Sequence, residues 1–185
     1  MLAVRHLPNL ICLIRIALIW PIAVALDHGD MPTALLLFVA AGVSDALDGY
    51  LAKRFRWSSE LGKVLDPLAD KLLLVTVFVE AAWLELIPWW LTAAVVARDV
   101  MIGLGALVYR LWFGPLRGRP TVLSKINTAL QLGYVTLIML RAAVGVPPRE
   151  MLDAAVALTL ATTVLSGLHY VASFTRRVWT PARLA

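Results

Sequence analysis

The chain has 185 residues, 61% of them hydrophobic, and 17 Lys and Arg against 12 Asp and Glu give it a net charge of +5. That apolar share, with a mean hydropathy of +0.81, lies well above the roughly 45–50% of soluble domains and points to an all-α integral membrane protein. The length suits one domain over residues 1–185, Cys12 as the lone cysteine excludes an internal disulfide, and the positive charge fits loops facing anionic headgroups, with no soluble basic module to suggest nucleic acid.

A membrane-crossing helix needs roughly 20 largely apolar residues. Leu7 to Leu26 qualifies, interrupted only by Arg15. "AVA" at residues 23–25 imitates a signal-peptide cleavage site, but Arg15 and the later apolar segments favour a retained first helix. "DHGDMP" is a turn, with Pro32 suited to the start of a second helix over Thr33 to Lys53. A basic loop, Arg54 to Gly62, offers Ser58 and Ser59 as caps before a third helix from Pro67 to Leu86. After "IPWW" a fourth helix continues to Leu111, and the Gly and Pro of "WFGPLRGRPT" mark a loop. A fifth spans Val122 to Val144 and a sixth Met151 to Phe174.

Charge orients these six spans. Lys53, Arg54, Arg56, Lys63, Arg117 and Arg119 fall on one side with both termini, while Asp27, Asp30, Glu85 and Glu150 fall on the other. The positive-inside rule puts the first set in the cytoplasm; the membrane expected is a bacterial-type inner membrane, with the mitochondrial inner membrane as the alternative. Trp57, Trp112 and Trp179 then anchor the inner interface, and Trp83, Trp89 and Trp90 the outer one.

Four aspartates crowd the second and third helices. Asp45 and Asp48 are three residues apart near the inner end of one, and Asp66 and Asp70 are four apart at the start of the next, so each pair shares a face. Ionised groups in a bilayer segment cost about 2.5–3.5 kcal/mol each, so a purpose is expected. Helix capping and pairing with Lys53, Arg54, Lys63 or Lys71 accounts for one such residue but poorly for the set. Converging carboxylates call for a hard cation, Mg²⁺ or Mn²⁺. Gly49, Ala52 and Gly62 among them leave room for a bulky ligand or a close backbone.

The register Asp45-x2-Asp48-Gly49-x2-Ala52-Lys53-x8-Gly62-x3-Asp66-x3-Asp70 resembles the signature of the CDP-alcohol phosphatidyltransferase family, with Lys53 where that family usually has arginine. Lysine lacks the bidentate fork, and Arg54 next to it could share the task. The resemblance implies a fold of six transmembrane helices, commonly homodimeric. It also implies transfer of a phosphatidyl group from CDP-diacylglycerol to an alcohol with loss of CMP. By the same resemblance Asp45, Asp48, Asp66 and Asp70 surround one or two divalent metals, with Asp70 as general base, while Asp48, Gly49, Ala52, Lys53 and Gly62 receive the nucleotide. "PNLICLIRIALIWP" also resembles the family's first helices, with Cys12 where threonine is common.

The acceptor is less sharply marked. Arg98 could hold an acceptor phosphate or simply pair with Asp99; Lys125 could do the same or snorkel to headgroups; Asn127 and Gln131 could instead tie helices together. "RPTVLSKINTALQ" resembles the matching segment of the CMP-forming cardiolipin synthase branch, favouring phosphatidylglycerol as acceptor. "VLDPLADK" is shared with phosphatidylglycerophosphate synthases, so glycerol 3-phosphate remains the alternative. A cation transporter would place carboxylates nearer the midplane and show internal repeats, and no repeat is evident. His6, His28 and His169 form no ligand pattern.

Overall fold

The computed structural model describes residues 7–55, 62–113 and 121–179. Among these there is no strand, and six helices follow in order: α1 (Leu7–Asp27), α2 (Met31–Phe55), α3 (Gly62–Trp83), α4 (Trp89–Phe113), α5 (Val122–Val144) and α6 (Arg149–Trp179). The predicted bounds of α5 coincide with those observed. Ser58, Ser59 and Trp57 lie outside the described residues.

The connections carry local signals. Gly29 ends α1 at φ +72°, donating its N–H to Leu26, and the next N–H, from Asp30, reaches the Ala25 carbonyl at 2.8 Å. That paired closure needs the left-handed conformation a glycine reaches without steric cost. Asp30 then caps α2, its carboxylate accepting the Thr33 N–H at 3.2 Å. Gly145 closes α5 in the same left-handed region, at φ +81°. Thr121 caps α5, with its hydroxyl accepting the Ser124 N–H.

Helix α3 departs from expectation at its start. It begins at Gly62, so Pro67 lies inside it rather than at its first position. A proline there forfeits the one bond its N–H would have made to Lys63, but the preceding turn persists. Asp66 and Asp70 therefore sit on the second and third turns and do not open the helix.

The chain divides into two compact units: residues 1–87 with 135–148, and 88–134 with 149–185. In the first, α1 packs on both α2 and α3; in the second, α4 packs on α6. Two helical stretches, Trp89–Trp112 and Arg149–Thr175, are long and apolar enough to cross a membrane, and a shorter apolar run covers Met31–Asp45. Trp20, Leu36, Trp83, Leu111, Trp112 and Val122 are 69–81% exposed, an exterior suited to lipid. With the overall hydropathy, these features give the chain a membrane location.

Candidate active site

In the first unit the inward face of each helix can be read by spacing. On α1 the buried positions include Cys12, Arg15, Ile22 and Leu26; on α2, Ala34, Phe38 and Ala41; on α3, Ala69, Leu73, Val77 and Ala81. Steps of three, four and seven residues keep each set on one face. The alanines let the backbones approach closely. Asp45 continues the α2 stripe four residues past Ala41, and Asp66 and Asp70 lie at the start of the α3 stripe. The same stripes that bury the apolar residues thus bring the charged ones together.

The cation that meets them is Arg15. Its Nη2 lies 2.5 Å from Asp45 Oδ1 and its Nη1 lies 2.6 Å from Asp70 Oδ1, so one guanidinium joins a carboxylate of α2 to one of α3. One turn earlier on α1, the Cys12 thiol donates to Asp66 Oδ1. The Arg15 side chain is 2% exposed, whereas those of Asp45 and Asp70 are 43% and 48% exposed. A buried charge requires this kind of paired, hydrogen-bonded partner. The carboxylates, by contrast, keep an accessible side.

Read from sequence alone, Arg15 is an interruption in an apolar run. Its register with Cys12, Ile22 and Leu26 is the signal that aims it at the aspartates, because an ionised residue on the buried face of a helix demands a counter-charge. Of the cations expected near the aspartates, Arg54 is exposed on the last turn of α2 and Lys71 is half-buried on α3, while the side chains of Lys53 and Lys63 lie outside the described residues.

Asp48, Gly49, Ala52 and Lys53 lie on α2 and Gly62 begins α3, but their side chains are outside the described residues. Among the described residues no three His, Cys, Asp or Glu form a ready cation cage. The donor set nonetheless fits a hard divalent ion: two part-exposed carboxylates, one on α2 and one on α3, already share one cationic partner on α1, and Mg²⁺ commonly takes few protein carboxylates and completes its shell with phosphate and water.

The second unit holds a separate polar network. Arg98 is buried, with Nη1 donating to Asp99 Oδ1 at 2.7 Å and Nη2 to the hydroxyls of Ser124 at 2.7 Å and Ser166 at 2.5 Å. One helical turn onward, Gln131 Nε2 donates to Thr163 Oγ1 at 3.3 Å, which donates to Asn127 Oδ1 at 2.9 Å. Thr162 reaches the same Asn127 oxygen at 3.0 Å. Arg98 Nε, Asn127 Nδ2 and Gln131 Oε1 are buried with no hydrogen-bond partner among the described residues. Lys125 is exposed on the first turn of α5. Sequence reasoning anticipated Arg98 with Asp99, and Asn127 with Gln131, but not Ser124, Thr162, Thr163 or Ser166, whose hydroxyls are unremarkable until two helices face each other.

The CDP-alcohol phosphatidyltransferase family model matches residues 5–168. A probable CMP-forming cardiolipin synthase of Drosophila melanogaster is 32% identical over 189 residues, covering 91% of this chain and 57% of that protein. The CMP-forming cardiolipin synthase of Homo sapiens is 32% identical over 188 residues, covering 89% of this chain and 61% of the relative. That of Streptomyces coelicolor is 38% identical over 105 residues, or 54% of this chain and 49% of its own length. The chain thus spans about three-fifths of the length of the first two relatives. The match runs through the Arg15, Asp45, Asp66 and Asp70 positions and the polar network alike: the chain belongs to the CDP-alcohol phosphatidyltransferase family.

Proposed function

We propose that this protein transfers a phosphatidyl group from CDP-diacylglycerol to the free glycerol hydroxyl of phosphatidylglycerol, forming cardiolipin and releasing CMP. The observation that carries this reading is the meeting of Asp45 and Asp70 on one guanidinium, within a chain whose family and relatives share this chemistry. Asp45, Asp48, Asp66 and Asp70 would hold Mg²⁺ or Mn²⁺, one ion or two. When bound, the metal neutralises diphosphate charge and makes CMP a better leaving group.

The protein's own residues then have distinct tasks. Asp70, half exposed, takes the proton of the attacking hydroxyl as its oxygen bonds to the phosphorus bearing diacylglycerol and the bond from that phosphorus to the CMP oxygen breaks. Gly49, Ala52 and Gly62 leave space for the cytidine nucleotide, and Lys53, Asp48 and Arg54 contact it or its phosphates. In the second unit, exposed Lys125 meets the acceptor phosphate. Arg98 and Asn127 contribute the nitrogen atoms that no protein group engages among the described residues.

All six helices cross a bacterial-type inner membrane in this reading, with both termini and the aspartates on the cytoplasmic side, and two copies form a homodimer. Residues 1–185 work as one domain, since one family model runs through both compact units. Purified protein is offered labelled CDP-diacylglycerol with either phosphatidylglycerol or glycerol 3-phosphate, with and without EDTA. Metal-dependent release of CMP with labelled cardiolipin is expected. Phosphatidylglycerophosphate as sole product would reassign the acceptor, and undiminished turnover in excess EDTA would refute the metal.

A further inference from the structure

The carboxylates of the candidate site are gathered by α1. That helix packs on both α2 and α3, and two positions three residues apart on its buried face take hold of aspartate oxygens. The Cys12 thiol donates to Asp66 Oδ1. Arg15 Nη2 meets Asp45 Oδ1 at 2.5 Å, and Arg15 Nη1 meets Asp70 Oδ1 at 2.6 Å. Each of these Arg15 contacts uses one oxygen of its carboxylate, so the second oxygen of Asp45 and of Asp70 stays open to a further ligand.

The guanidinium supplies arrangement as well as charge. The last side-chain bond of an aspartate turns over a broad range, and two unrestrained carboxylates on different helices repel each other. The two Nη atoms of Arg15 belong to one rigid plane. Anchoring Asp45 and Asp70 on them sets the separation of the two Oδ1 atoms and limits the rotation that aims each second oxygen. Arg15 itself has little freedom: its side chain is 2% exposed, its charge is permanent, and charge-assisted hydrogen bonds of this length are strong. The cavity of about 280 Å³ beside it, between α1 and α2, offers no competing anion. Ile11, Ile14, Leu18, Ala41 and Leu47 line it, and its one hydroxyl, Ser44, donates to the Ala40 carbonyl at 2.7 Å. Asp45 and Asp70 are 43% and 48% exposed, so a divalent ion can reach them while Arg15 stays where it is.

We propose that Arg15 is a positioning residue for the metal: a fixed clamp that holds one oxygen of Asp45 and one of Asp70, sets the second oxygen of each for the ion, and keeps its place when the ion binds. This rests on the metal-dependent reaction proposed above, and it adds a residue of the first helix to that machinery. Groups that hydrogen-bond a metal's ligands commonly account for about 10–100-fold of its affinity.

The test uses the full chain in detergent micelles, stripped with EDTA, as wild type, Arg15→Lys and Arg15→Gln, with Mn²⁺ as the probe. Circular dichroism and thermal melting show which variants fold. Electron paramagnetic resonance of the free ion gives the Mn²⁺ affinity, and the hyperfine lines of the bound ion report how uniform its ligand positions are. Arg15→Lys keeps the charge and loses the planar fork, so it separates arrangement from charge. It should bind Mn²⁺ about tenfold more weakly than wild type, with broadened bound lines, and need correspondingly more Mn²⁺ for half-maximal CMP release. Arg15→Gln presents one donor nitrogen in place of two, so its bound lines should broaden as well, whatever the lost charge does to affinity. It carries the test if Arg15→Lys does not fold. Wild-type affinity and line shape in Arg15→Lys, with tighter binding in Arg15→Gln, would make Arg15 a counter-charge alone and overturn the clamp. A lower melting temperature with unchanged bound lines in a folded variant would make it a structural ion pair and overturn the clamp too. Both of those results leave the reaction standing. Wild-type protein that binds no Mn²⁺, with or without CDP, refutes the metal-dependent reaction and the clamp with it.

Discussion

Arg98→Ala is the perturbation that best separates a residue held by the fold from one held ready for a ligand. Both Nη atoms of Arg98 are engaged, with Asp99 at 2.7 Å and with Ser124 and Ser166 at 2.7 and 2.5 Å. The Arg98 and Asp99 side chains are only 5% and 6% exposed, so solvent screens their pairing little. Hydrogen bonds to a charged group contribute about 1.5–3 kcal/mol each, but removing one member of a buried pair is bounded in practice near 3–5 kcal/mol. Arg98→Ala should therefore lower unfolding stability by about 3–5 kcal/mol, measured by titration from mild micelles into SDS. The double variant Arg98→Met, Asp99→Leu should lose less than the sum of its single changes, with a coupling of at least about 2 kcal/mol. Lys125→Ala, on an exposed side chain, should leave stability unchanged and raise the acceptor KM selectively. If Arg98→Ala lost under about 1 kcal/mol and raised only the acceptor KM, the network would not be holding the guanidinium and the reasoning would fail.

Three further outcomes follow from local geometry. Asp70→Asn keeps an oxygen for the Arg15 Nη1 bond of 2.6 Å, so the protein should fold and bind CDP while turnover falls by about 10²–10⁴; near-normal turnover would move the base elsewhere. Gly105→Ala would put a Cβ 2.6 Å from the Tyr170 hydroxyl, which bonds the Ile102 carbonyl at 3.1 Å, so a loss of about 1–3 kcal/mol in SDS unfolding is expected. Asp30, in the turn before α2, has its carboxyl lowered from the ordinary 3.8 by the Thr33 hydroxyl and then the Thr33 N–H. A lowered value means the cap contributes fully above the unfolded value and is lost as pH falls through the folded one. Asp30→Asn should abolish that acid-limb change in melting temperature and leave the neutral-pH melt similar.

What the sequence could show differed between the two kinds of feature. Helix α5 was legible to the residue because Thr121 caps it and Gly145 closes it, two signals that act within one turn of the chain. The start of α3 was not, since Pro67 looks like a first helical residue and only the path of residues 62–66 shows that a turn precedes it. The aspartate register was legible because its spacing is local. Its partner was not: Arg15 is 30 residues before Asp45 and 55 before Asp70, and the link exists only where α1 crosses both helices.

The same distinction explains which charges a membrane chain can carry openly. Asp45 and Asp70 are each within reach of water and need only part of their charge answered by the protein, so their presence leaves a pattern that spacing alone reveals. Arg15 and Arg98 are buried and must be answered completely. Arg98 has a neighbour in sequence, Asp99, and hydroxyls from α5 and α6; Arg15 meets carboxylates far along the chain, Asp45 and Asp70. A guanidinium closed in by near neighbours is costly to release, so the loss of Arg98 is expected to register first in stability, whatever its Nε contributes to the acceptor; a guanidinium that ties two distant carboxylates together is held just as firmly, but its place in the fold depends on three helices meeting rather than on one turn of chain.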